Sequence, residues 1–182
     1  MTSSEEQCLR RWLQEFVVGL NLCPFARPLL GAPNLRIAVS QECEPVELRN
    51  RFLQELDLLQ RSSQQQIATT LLAFPYALQD FEDYLQFLDD AQDLLLQCGL
   101  EGIIQLASFH PQYRFAGEAP DAASHYSNRA PYPVIHLLRE DMLSRVLEDF
   151  ADPQRIPERN IETLTQIGVD ELERRWWSIF SQ

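Results

Sequence analysis

A chain of 182 residues with 45% hydrophobic and 23% charged side chains is expected to form one α/β domain, residues 1–182, with a substantial core. Its formal charge of −12 argues against nucleic-acid and anionic-membrane partners, because both need a basic face. All fifteen basic residues are arginine, and the absence of lysine excludes Schiff-base and pyridoxal-phosphate chemistry and the Gly-Lys-Ser/Thr phosphate loop. Six glycines without a G-x-G-x-x-G run leave no dinucleotide fingerprint. The opening residues lack the basic and apolar segments of a signal peptide, and no apolar run approaches the roughly 20 residues of a membrane span. A cytoplasmic protein is the expectation.

In chain order, Leu9, Trp12, Leu13, Phe16, Val17 and Leu20 follow helical spacing, with Ser4 and Gln7 as a capping box. That helix ends near Asn21, and Pro24 and Pro28 stop its continuation. A strand at 35–39 precedes a helix at 44–61 whose apolar face is made of Val46, Leu48, Phe52, Leu53, Leu56 and Leu59. A second strand, 67–74, runs into Pro75. The helix at 80–98 carries Phe81, Tyr84, Leu85, Leu88, Ala91 and Leu95 on one stripe and reaches a capping Gly99. Its carboxylates, from Asp80 to Asp93, read as a solvated face. A third strand, 102–109, completes a strand-helix-strand-helix-strand order that calls for parallel strands joined by right-handed crossovers. A fourth strand at 132–139 has no direction assigned by pattern, and short helices follow near 141–150, 157–167 and 170–180. The expected fold is α/β, with a four-stranded mostly parallel or mixed sheet packed by helices; a ferredoxin-like α+β arrangement is the alternative.

The loop between the third and fourth strands is far longer than the usual connection of about 4–6 residues, and such loops are commonly functional. It holds His110, His125, Tyr113, Tyr126, Arg114, Arg129 and Asn128, and His136 follows in the next strand. Open α/β sheets bind ligands beyond the C-terminal ends of their strands, which is where Phe109-His110-Pro111 falls. His110, with Tyr113, is a candidate for acid–base work because imidazole titrates near neutrality. It could equally bond the backbone of the loop. His136 shares a strand face with Val134 and Leu138, as a ligand contact or a satisfied core histidine. Arg114, Arg129 and Arg139, with Asn128, could hold a carboxylate or phosphate; salt bridges to Glu118, Asp121 or Glu140 are the alternative.

The cysteines Cys8, Cys23, Cys43 and Cys98 are 15, 20 and 55 residues apart, without the C-x-x-C of a structural zinc site. Cys23, after the first helix and before Pro24, is the candidate nucleophile if His110, Arg27 or Arg114 lowers its pKa; otherwise it is a small buried hydrophobe. The terminal Trp176, Trp177, Ile179 and Phe180 could dock on the domain or form a homodimer contact.

Four stretches carry a resemblance: Asn21-Leu22-Cys23-Pro24-Phe25-Ala26; Ser108 through Gly117; Asn128-Arg129-Ala130-Pro131-Tyr132-Pro133 with His136-Leu137-Leu138-Arg139-Glu140; and Glu158 through Leu164. Together they resemble the bacterial domain of unknown function 1415 family over nearly the whole chain. Ala130 stands where that pattern leads one to expect serine, which argues against a nucleophilic hydroxyl there. The resemblance implies no activity and no cofactor. On the residues themselves, the chain reads as an enzyme acting on a small anionic metabolite through Cys23 and His110 with arginine anchoring. Two other readings are a non-catalytic metal or small-ligand binder using His110 and His136, and an interaction module.

Overall fold

The structure, a computed structural model, describes residues 3–148 and 152–180. Helix α1, Ser4–Trp12, is capped by Ser3, whose Oγ accepts the Glu6 N–H at 3.2 Å. The cap therefore sits one residue before the expected Ser4, with Glu5 and Glu6 in the first turn facing the positive end of the helix dipole. Beyond Trp12 the helix widens into a π-helical segment, Leu13–Val18, where the Gly19 N–H donates to the carbonyl five residues back, Gln14, at 3.0 Å. A Cβ at Gly19 would lie 2.2 Å from the Glu15 carbonyl oxygen, so only glycine closes this segment without displacement. A short helix α2, Ala26–Leu29, follows, with Pro28 tolerated because it falls within the first turn.

Strand β1, Leu35–Val39, leads to α3, Pro45–Arg61; β2, Thr69–Ala73, leads to α4, Phe81–Gln97. Asp80 caps α4, its Oδ1 accepting the N–H groups of Glu82 and Asp83 at 2.9 and 3.2 Å. Then come β3, Ile104–Phe109; a 3-10 turn, Ala123–Ser127; β4, Val134–Arg139; and helices α5, Glu140–Glu148, α6, Ile156–Ile167, and α7, Val169–Ser178. Phe150, the expected end of the helix after β4, lies outside the described residues.

The sheet order is β1-β2-β4-β3. β1 and β2 are parallel, and β4 is antiparallel to both its neighbours, which makes the sheet mixed and settles the direction of the fourth strand. The adjacency of parallel β1 and β2 departs from the ferredoxin-like alternative, where a strand must come between them. Both helical crossovers step the same way across the sheet, so the handedness rule puts α3 and α4 on one face. There they bury Phe52, Leu56, Tyr84 and Leu95 against Leu72, Phe74, Ile135 and Leu137.

The opposite face presents Leu35, Leu71, Ala73 and Val134 to the N-terminal helix and the C-terminal helices. Phe16 meets Trp176 edge-on at 5.9 Å, and Tyr126 stacks near Phe16 at 6.3 Å. Trp176 and Ile179 are thus internal, while Trp177 and Phe180 remain exposed.

Tyr84 ties the two halves of the β3–β4 pair to α4. Its fully buried hydroxyl donates to the Val134 carbonyl at 2.8 Å and accepts the Phe109 N–H at 3.1 Å. Tyr84→Phe takes a partner from both backbone groups and is expected to cost about 1–3 kcal/mol, read as a shift in urea midpoint at unchanged m-value. A loss below about 0.5 kcal/mol would mean that water replaces the hydroxyl.

Candidate functional site

Between the sheet and the N-terminal helix lies a cavity of about 550 Å³, within the range of roughly 300–1,000 Å³ typical of small-molecule sites. Its construction follows from strand alternation. Leu35, Thr69, Leu71, His136 and Phe109 all project from one sheet face, in neighbouring registers of β1, β2, β4 and β3. Trp12, Leu13 and Val17 descend onto them from the end of α1 and the π-helical segment, and Cys23, Phe25, Ala26 and Leu29 close one side. Ser124, Ser127 and Asn128 of the long loop close another, and the start of α6 adds Ile156, Pro157, Asn160 and Ile161. The exposed Ala116, Glu118, Pro157 and Ile161 frame its opening. Glu118 is the sole charged residue among the described lining, and no arginine reaches it.

Three of the residues singled out from sequence meet here: Cys23, Asn128 and His136. Cys23 follows the turn at Asn21, a non-glycine residue at φ 53°, and α6 holds that turn from outside. Arg159 donates to the Asn21 carbonyl at 3.0 Å and Asn160 Nδ2 to the Leu22 carbonyl at 2.8 Å. Burial pushes the Cys23 thiol above its ordinary pKa, with only partial relief from the Phe25 and Ala26 N–H groups. The same burial favours the neutral thiol over the thiolate.

Asn128 is engaged at both ends of its amide. Its Nδ2 donates to the Ser108 carbonyl at 3.0 Å, its Oδ1 accepts from Ser127 Oγ at 2.9 Å, and its carbonyl accepts the His110 N–H at 3.1 Å. His136 is different. Thr69 Oγ1 donates its proton to the Leu137 carbonyl at 2.6 Å, so toward His136 Nε2, at 2.7 Å, it can only accept. The ring proton is thereby assigned to Nε2 and a lone pair to Nδ1, to which no described residue bonds. Burial lowers the His136 pKa to about 4, so the imidazole is neutral at physiological pH. Such a weak base suits hydrogen-bond acceptance better than proton abstraction.

The other candidates lie elsewhere. His110 is fully buried on the α3–α4 face, packed against the rings of Phe81 and Tyr84 at 5.1 Å each. Its Nδ1 accepts the Gln112 N–H at 3.0 Å and its Nε2 donates to the carbonyl of Leu78 at 3.0 Å, a residue held at φ 59°. Burial lowers its pKa as well, against the opposing pull of the Leu78 carbonyl. Tyr113 packs on Phe81 and Phe115, with its hydroxyl 3.2 Å from Ser108 Oγ. Arg114 borders a separate depression with Asp80, Glu82 and Gln112. Arg129 lies over the Tyr126 ring at 4.4 Å. Arg139 points to the α3 side, donating through Nη2 to the Leu59 and Ser62 carbonyls at 2.5 and 2.6 Å and through Nε to Ile67 at 3.2 Å. It caps the end of α3.

His110 and His136 thus occupy opposite faces of the sheet and cannot share an ion. Among the described residues, no group of three or more His, Cys, Asp or Glu side chains is placed to hold a metal. His125 clasps the loop that forms one wall of the cavity: Nδ1 accepts the Phe115 N–H at 3.2 Å and Nε2 donates to Ala119 at 2.8 Å.

Sequence reasoning missed Thr69, Ser124, Ser127 and Asn160 as members of the lining, as well as the apolar walls. Asn160 and Cys23 sit in two of the stretches that carried the family resemblance. All four of those stretches reach this one cavity, through Leu22 and Cys23, Phe109 and Phe115, Asn128 and His136, and Asn160 and Ile161. Neither the curated proteins nor the solved structures give a significant match to the chain. A family model described as a protein of unknown function, DUF1415, matches residues 4–174 of the 182. The chain therefore belongs to the DUF1415 family.

Proposed function

We propose that this protein binds a predominantly apolar small molecule in the cavity between the sheet and the N-terminal helix. The observation that carries the reading is the convergence of all four resemblance-bearing stretches on one cavity with mainly apolar walls. An anionic metabolite held by arginine has less support, since Arg114, Arg129 and Arg139 lie outside the lining and Glu118 stands at the opening. A buried anion without a cationic partner would be strongly disfavoured. Burial that favours the neutral Cys23 thiol supports binding over nucleophilic turnover. The four cysteines, none in a disulfide, fit the reducing cytoplasm as the working compartment.

Titration with tert-butylbenzene and with 4-tert-butylbenzoate tests this. The hydrocarbon is expected to bind saturably, with Kd on the order of 0.1 mM by ligand-efficiency bounds, and to change the fluorescence of Trp12 in the cavity wall. The benzoate should not bind. Ala116→Trp, at the exposed opening, should block the hydrocarbon without unfolding the protein. Tighter binding of the benzoate than of the hydrocarbon would sink the reading and restore the anionic one.

A further inference from the structure

Two residues of the cavity lining carry polar atoms whose hydrogen-bonding capacity the fold leaves unused. One is His136 Nδ1, whose lone pair is fixed by the Thr69 relay on the far side of the ring. The other is Ser124 Oγ, on a side chain 5% exposed, buried and without any hydrogen-bond partner. Both residues line the same cavity. A buried hydroxyl without a partner is costly, and native structures tolerate it mainly where something else completes it. The neighbouring hydroxyls are not idle in this way: Thr69 and Ser127 each spend their one donor on the protein itself, and Asn128 and Asn160 each commit one amide N–H to a backbone carbonyl.

Resting on the binding reading above, we infer that the natural ligand is an uncharged molecule with an apolar body and a hydroxyl-type head. Its O–H donates to His136 Nδ1, and Ser124 bonds a polar atom of the same molecule. The chemistry discriminates by class. A carboxylate offers no proton to an unprotonated nitrogen and would meet no cation, while a pure hydrocarbon fills the walls but leaves His136 and Ser124 unpaired. An alcohol, phenol or enol satisfies both requirements. His136 is then a specificity determinant, acting through a tautomer that Thr69 selects.

The experiment compares three probes of nearly equal shape: 4-tert-butylphenol, tert-butylbenzene and 4-tert-butylbenzoate. Affinities would be measured by calorimetry, and the His136 ring nitrogens followed by long-range ¹H–¹⁵N spectra of the wild-type protein. The phenol is expected to bind about 10-fold more tightly than the hydrocarbon, the ratio one net hydrogen bond supplies, and to move the Nδ1 resonance while Nε2 stays protonated. His136→Phe should bring the phenol-to-hydrocarbon affinity ratio down about 10-fold, toward 1, and Ser124→Ala should lower the same ratio. Equal affinities for phenol and hydrocarbon, with an unmoved Nδ1 signal, overturn this inference and leave the apolar cavity standing. Failure of both neutral probes to bind overturns the two together. The nitrogen spectra need no variant, so a misfolded His136→Phe protein does not remove the test.

Discussion

Trp12→Ala is expected to lower the unfolding free energy by about 3–5 kcal/mol, the usual loss when a fully enclosed large aromatic is truncated. Trp12 is 1% exposed, meets Phe109 edge-on at 5.3 Å and forms part of both the core and the cavity wall. Its removal joins a new void to an existing one, so the surroundings have little incentive to collapse into the space. Against a total of about 5–15 kcal/mol for a domain, that is a large share. Trp177, by contrast, is 62% exposed, and its alanine variant should stay within about 0.5 kcal/mol of wild type. Urea denaturation of the two variants in parallel measures the contrast. A Trp12→Ala loss below about 1 kcal/mol would mean that the N-terminal helix is not a structural wall of the cavity.

The second large effect is in pH. The His136 imidazole has a folded-state pKa of about 4, below the ordinary 6.5 that it regains on unfolding. Between those values the unfolded chain takes up a proton that the folded chain refuses, so stability rises with pH across that window. The contribution is fully present above pH 6.5 and is lost as the pH falls toward 4. A shift of this size is worth about 3 kcal/mol. The buried His110, with its pKa also lowered, pushes in the same direction. The measurement is the difference in unfolding free energy between pH 7 and pH 4 for wild type and for His136→Phe. The wild type should lose about 3 kcal/mol more than the variant, because His110 and the carboxylates are common to both. Parallel pH profiles would show that His136 is solvated.

Most of the framework could be read from periodicity. The strand at 35–39 coincides with β1, and the helices at 44–61 and 80–98 overlap α3 and α4 to within a residue at each end. Leu48, Phe52, Leu56 and Leu59, or Tyr84, Ala91 and Leu95, each make an uninterrupted stripe that only one face of a helix can satisfy. The π-helical segment escaped because Leu13, Phe16 and Val17 fit ordinary helical spacing equally well; the extra residue per turn shows only in the hydrogen bonds. The direction of β4 escaped because alternation is the same forwards and backwards.

The site was harder to read for a related reason. A cavity is a place where apolar stripes fail to meet, and nothing in Trp12, Leu13 or Val17 distinguishes a covered residue from one facing a void. The residues that drew attention were polar and clustered in sequence, and several had local backbone work instead. His110 and His125 close turns around the long loop, and Arg139 ends a helix. Local backbone demands and ligand demands call on the same side chains, so sequence alone does not separate them. His136 was correctly placed on the Val134 face, yet its free nitrogen follows from Thr69, 67 residues earlier.

β4 fills the gap between β2 and β3, although it is the last strand among the described residues. During synthesis β1, β2 and β3 leave the ribosome before the strand that joins them. A nascent chain that stops short of Val134 has its third strand unpaired on both sides and its second open on one, with the partners of α1 in α6 and α7 not yet made. Open strand edges invite pairing with other chains. The sheet therefore cannot close until Arg139 has emerged, and up to that point the ribosome-bound chain carries open strand edges that β4 later covers.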